Sequence, residues 1–139
     1  MSAEDVVLVD VDGTVALVAK GPDARRFYDW ERVGEDLANE PVVAVVRALA
    51  GLGRPVFLTG RSEVCRAATE AWLAKQGWSE PELYMRAEGD YREGWVVKCE
   101  LYEAEIRRRG YVVRVALDDD AKVVAAWRSK GLAVLQVAG

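Results

Sequence analysis

VVLVDVDGT, residues 6–14, is an apolar run that ends on two aspartates one residue apart, followed by Gly-Thr. Consecutive apolar residues bounded by turn formers read as a short buried strand. The interior of such a strand has no place for unpaired carboxylates, so Asp10 and Asp12 mark its end. PVFLTGR (55–61) and YVVRVAL (111–117) repeat the arrangement. The first runs into Thr59-Gly60-Arg61 and the second into Asp118-Asp119-Asp120. Three separate strands therefore aim polar groups at one rim.

The segments between them read as helices. PVVAVVRALAGLG (41–53) has the length, alanines and closing glycines of a buried helix. SEVCRAATEAWLAKQG (62–77) begins with a capping Ser62 and stops at Gly77. LYMR (83–86) is a short strand, 89–95 a polar loop and 96–109 a helix; 121–131 is a helix and 132–138 the last strand. Residues 15–40 are irregular and polar. Strands alternating with helices, and apolar throughout, predict an α/β fold with a mostly parallel five-stranded sheet covered on both faces. Ligands of such sheets bind at the carboxyl ends of the strands. The whole chain, 1–139, reads as one domain without repeats or linkers.

Composition removes several chemistries. The chain has no histidine, so Ser-His-Asp, Cys-His and His-ligated zinc sites are excluded. Cys65 and Cys99 form no C-x-x-C and have no arginine six residues on; they read as reduced, half-buried thiols. A net charge of −4 gives no broad basic surface for gripping duplex nucleic acid. The MSAEDVV start lacks the features of a signal peptide and no apolar run approaches a membrane span. The expectation is a cytoplasmic protein with no membrane contact.

Carboxylates gathered at one edge repel each other unless a cation lies among them, and all-oxygen ligation suits magnesium. Beside such an ion, an aspartate can attack a phosphate ester and a second carboxylate can manage the proton. The motifs resemble those of the haloacid-dehalogenase superfamily of phosphohydrolases, in the same order. That resemblance implies a Rossmann-like domain with Asp10 as nucleophile and Asp12 as general acid/base in DVDGT. It further implies Thr59 as a phosphate-bonding hydroxyl and Lys98 in WVVK as a charge-offsetting cation. Mg²⁺ would be held by Asp10, Asp118 and Asp119, with the main-chain carbonyl of Asp12 adding a ligand.

RRFYDW, LTGR, GDYREGWVVK, LDDDAKVVAAWRSKGL and QVA resemble more closely the 3′-phosphatase domain of bacteriophage polynucleotide kinase-phosphatase. This implies a nucleic acid 3′-phosphate end as substrate, with Arg61 and Arg25 as phosphate ligands, Arg26 and Lys20 being alternatives to Arg25 in the flap. The acid usually found four residues before the lysine is replaced by Gly94, with Glu93 or Asp90 as substitutes. No G-x-x-x-x-G-K-[ST] loop occurs, so a phosphatase alone is expected, any kinase or ligase being a separate partner. The intervals between motifs leave room only for a small flap (15–40), not a large cap, which implies an open site.

Blander roles are expected for some residues: Asp120 as a helix cap, the arginines of RRRG (107–110) at a helix C-terminus, and most tryptophans, Trp95 included, as packing. Trp30 is the tryptophan expected near substrate. Two other functions fit parts of the pattern. One is a small-molecule or mononucleotide phosphatase. The other is a receiver-type phosphoacceptor, whose acidic pair would precede the acceptor and whose lysine would follow a late strand; here Lys98 precedes Asp118.

Overall fold

Strand β1 (Asp5–Val9) is the middle of the sheet, and its residues from Val6 onward are all buried. The computed structural model describes residues 4–138; Met1 to Ala3, part of the stretch read for a leader, lie outside them. β4 (Arg54–Ser62) pairs with one edge of β1 and β6 (Val112–Asp118) with the other. β5 (Glu82–Arg86) and β7 (Val134–Gln136) complete a sheet of order β5-β4-β1-β6-β7, parallel at every pairing. The predicted α/β architecture is what is found.

Alternation along the strands divides the core in two. Val7, Val9, Phe57, Leu83, Met85 and Leu117 face helices α1 (Glu40–Ala48) and α2 (Arg66–Lys75). Val6, Leu8, Val56, Leu58 and Ala116 face α3 (Gly94–Leu101) and α4 (Ala121–Ser129). The turn into β4 passes so close to β1 that a Cβ on Gly53 would lie 2.6 Å from the Asp5 carbonyl oxygen.

Boundaries moved where tertiary contacts outweigh pattern. The first strand, which the pattern extends over 6–11, stops at Val9, because the Val11 carbonyl already turns back to accept from the amides of Thr14 and Ala16. The segment 62–77 opens with a 3₁₀ turn, Glu63–Cys65, which Ser62 caps by accepting from the Val64 amide. Helix α3 starts at Gly94 and runs on through a wider π turn, Tyr102–Arg107. The flap is less irregular than expected: β2 (Ala16–Leu17) and β3 (Leu37–Ala38) form an antiparallel ribbon, with a 3₁₀ helix, Trp30–Glu35, between them. Among the described residues no helix is long and apolar enough to cross a membrane.

Candidate active site

Because the sheet order reverses direction at β1, the chain leaving β1 and the chain leaving β6 part company there and open a crevice. A cavity of about 520 Å³ occupies it, lined by Asp10, Asp12, Thr59, Lys98, Asp118 and Asp119 among others. Carboxylate oxygens of Asp10, Asp118 and Asp119 lie within 4.8 Å of one another. From α3, the Lys98 ammonium donates to Asp10 Oδ1 and Asp118 Oδ2, at 2.7 Å each. Thr14, from the same pentapeptide as the aspartates, donates to Asp10 Oδ2 at 2.9 Å. Lys98 thus bridges two of the three carboxylates and Thr14 reaches toward the third, Asp119, at 3.4 Å, a hard-oxygen set with room for a divalent cation.

The electrostatics follow from burial. Desolvation lifts Asp10 from 3.8 to about 7 despite the pull of Lys98, and lifts Asp118 to about 6 with help from the Asp10 charge. Asp119 is raised as well, chiefly by burial. Burial alone would lower Lys98, but the two carboxylates outweigh it and hold the lysine above its ordinary value. Without metal, the folded protein therefore binds more protons than the unfolded chain between about pH 4 and 7. Stability from these raised carboxyls is present at low pH and lost as pH rises through 6 and 7. In thermal melts with chelator, the protein should lose about 2 kcal/mol between about pH 5.5 and about pH 8. Added magnesium, which requires ionised carboxylates, should restore more at the higher pH. A flat profile with chelator would show that water already solvates the cluster.

Gly13 makes the cluster sterically allowed. It has φ of +78°, and a Cβ there would fall 2.1 Å from Asp119 Oδ2. Gly13→Ala should displace Asp119 and weaken magnesium binding by about 10- to 100-fold, read as the metal concentration needed to raise the melting temperature.

Asp12 is held apart from this cluster. Its carboxylate accepts from Arg61 Nε and Nη2 (3.1 and 2.9 Å) and from Arg25 Nη2 (3.2 Å). Both arginines also grip Asp36, Arg25 at 2.7 and 2.6 Å and Arg61 at 2.7 Å. Arg25 and Arg61 were expected to contact phosphate directly. In the structure both guanidiniums are buried and shared between Asp12 and Asp36, and neither side chain lines the cavity, so they orient Asp12. Arg26 and Lys20, the alternatives to Arg25, are exposed on the flap. Among the four expected metal residues, Asp12 has its side chain outside the carboxylate cluster. Thr59 lines the cavity, and its oxygen accepts from the Arg61 amide at 3.1 Å.

Sequence reasoning missed four features. Thr14 was quoted in its motif but given no task. Asp36 carries no local signal, since its partners come from Arg25 and Arg61. Arg86, at the end of β5, donates to the carbonyls of Gly60, Asp90 and Arg92 and leaves Nη2 facing the cavity between Gly60 and Gly94. An acid at Gly94 would meet that nitrogen; Glu93 lines the cavity nearby but is engaged by Trp95 and Lys122. The aromatic assignment also changes. Trp30 is half-buried against the core, whereas Trp95 is 40% exposed at the cavity mouth. Asp120 caps α4 as expected, accepting from the amides of Lys122 and Val123.

Residues 4–139 match the family model described as the polynucleotide kinase PNKP phosphatase domain. The chain belongs to that family. It is thus a haloacid-dehalogenase-type phosphatase domain of the polynucleotide-repair kind, as the resemblance implied. The chain is 36% identical over 126 residues to the "Putative bifunctional polynucleotide kinase/RNA ligase" of Autographa californica nuclear polyhedrosis virus, covering 88% of this chain and 17% of that protein. Among solved structures, a chain of the Pnkp1/Rnl/Hen1 RNA repair complex superposes with a TM-score of 0.87 at 34% identity, over 98% of this chain and 43% of the other. A second Pnkp1/Rnl/Hen1 structure matches at the same TM-score and identity, over 99% and 47%. The chain thus spans about a sixth of the viral relative and under half of the solved chains.

Proposed function

We propose that the protein is a magnesium-dependent phosphomonoesterase that removes the 3′-phosphate from polynucleotide ends through an aspartyl-phosphate on Asp10. The observation that carries this reading is the trio Asp10, Asp118 and Asp119, the first two bridged by Lys98, in a chain of this phosphatase family.

Magnesium at the trio would neutralise charge on the phosphoryl oxygens, which dianionic esters need most. Asp10, fixed by Thr14 and Lys98, forms the new bond to phosphorus as the bond to the 3′ oxygen breaks. Asp12 gives that oxygen its proton, then takes one from the water that attacks the phospho-aspartate and releases inorganic phosphate. Arg61 and Arg25 set the position of Asp12, and Thr59 and Lys98 offer hydrogen bonds to the phosphoryl group. The repair setting of the solved relatives, with a ligase and other partners, supports a nucleic acid end as substrate and a separate chain for end joining. A cytoplasmic location fits this work.

The test is phosphate release, with and without magnesium, from a 3′-phosphorylated oligonucleotide, its 5′-phosphorylated counterpart, a 3′-mononucleotide and an aryl phosphate. Metal-dependent release confined to 3′-phosphates and retained on the oligonucleotide supports the proposal. Release from the aryl phosphate alone keeps the chemistry and removes the substrate assignment.

A further inference from the structure

Phe27, Tyr28, Tyr91 and Trp95 are the exposed aromatic side chains among the described residues, and all four line the active-site cavity. Every other described aromatic is buried or half-buried. Folding does not place apolar rings at one mouth by chance; exposed aromatics gathered in a patch mark a contact surface.

Two of the rings are braced. Phe27 and Tyr28 pack edge to face with each other at 5.0 Å and with Trp30 at 5.0 and 5.6 Å, so the half-buried Trp30 anchors this side of the mouth. On the other side, Trp95 stands in the first turn of α3 with its indole N–H bonded to Glu93 at 2.6 Å. Tyr91 is 81% exposed, and together with Tyr28 it also lines an adjoining crevice of about 140 Å³. The opening is therefore bordered by flat faces at a short distance from the reacting carboxylates.

Charge at the mouth argues against grip by the phosphate backbone. Arg92 is occupied by Asp90 and Glu100, Lys122 by Glu93, and Arg86, with Nε and Nη1 on main-chain carbonyls, leaves one nitrogen to the cavity. The floor is acidic, and the whole chain carries −4. A ligand that offers π faces suits such a rim better than one that offers only phosphates, since base–aromatic stacking needs no counter-charge.

We propose that Phe27, Tyr28, Tyr91 and Trp95 form a stacking rim that receives the unpaired terminal bases of a single-stranded 3′ end. The proposal rests on the 3′-phosphatase reading above and deepens it. A base still paired in a duplex cannot leave its stack to reach the rim, so overhanging or frayed ends are preferred to blunt ones. Because few phosphates are neutralised, KM depends only weakly on salt.

The experiment compares two short single-stranded 3′-phosphorylated oligonucleotides, one with an ordinary terminal nucleotide and one with an abasic terminal residue. Both are given to the wild-type protein, Tyr91→Ala, Trp95→Ala and the double variant, with magnesium present. Each single substitution should raise KM on the base-bearing end by about tenfold, within the range seen for stacking aromatics. The loss on the abasic end should be at least about fivefold smaller, and Trp95→Phe should recover most of the affinity. Equal losses on both substrates, or none on either, overturn the rim while leaving the phosphatase reading intact. Wild-type protein that releases phosphate from neither oligonucleotide, yet does so from an aryl phosphate, overturns both.

Discussion

Asp10→Asn is expected to lower turnover by at least about 10⁴-fold, the scale on which removing a catalytic nucleophile acts, while the fold persists. The amide is nearly isosteric: its oxygen can keep the 2.7 Å bond from Lys98, while its NH2, in place of Oδ2, can donate to the Thr14 hydroxyl, which then accepts where it donated at 2.9 Å. What it removes is the attacking oxyanion. It also removes one of the two carboxylates that share Lys98, and the one whose pKa is raised further. The chelated variant should therefore show a flatter dependence of melting temperature on pH than the parent, since the group raised to about 7 is gone. Turnover within tenfold of the parent would remove Asp10 from the nucleophile's place. An unchanged pH profile of stability would show instead that Asp118 or Asp119 carries the proton.

Asp36→Ala should have the largest effect on stability. Asp36 accepts three hydrogen bonds from Arg25 and Arg61, whose side chains are 1% and 0% exposed, and its main-chain oxygen accepts from the Trp72 indole. Without its carboxylate, two buried guanidiniums keep neutral partners, the carbonyls of Arg26 and Phe27 and the Thr69 hydroxyl, but share Asp12 as their single counter-charge. Breaking a buried pair from one side costs about 3–5 kcal/mol, which for a chain of this size lowers the melting temperature by roughly 10 °C or more. The activity that survives carries a second signature. If Asp36 acts by positioning Asp12, loss should be greater on alkyl phosphates, whose leaving group needs a proton, than on aryl phosphates, whose leaving group does not. Equal loss on both would assign the residue to the fold only, and a melting temperature within two or three degrees of the parent would show that water replaces it readily.

The contrast between these two aspartates shows what was legible in the sequence. Asp10, Thr59 and Asp118 were legible because each follows an apolar strand run near its carboxyl end, although β4 itself continues to Ser62, and a parallel sheet brings such ends together whatever the loops do. Asp36 was not found because its meaning lies in Arg25 and Arg61, 11 and 25 residues away, and no local pattern connects them. The flap hid its ribbon for the same reason. β2 and β3 are two residues each, too short for alternation to register, and are held by pairing across 20 residues. Trp30 and Trp95 differ from expectation in exposure, the first half-buried and the second open, because exposure of a ring depends on its packing neighbours. Trp30 has Phe27 and Tyr28 against it, whereas Trp95 looks out from a helix start.

The π turn at Tyr102–Arg107 bears on how Lys98 keeps its aim. Lys98, Tyr102 and Ile106 are all buried, at intervals of four residues. In an uninterrupted α-helix each such interval overshoots a full revolution by about 40°, so the third residue would have drifted well away from the first. The wider turn advances less per residue and takes most of that overshoot back. The extra backbone atom count therefore acts as a phase corrector: one end of the rod stays keyed to the hydrophobic seam against Trp127, the other to the carboxylates. Deleting a single residue from 102–107 would leave a more regular helix, but rotated like a key cut one notch off, with its ammonium turned out of the lock.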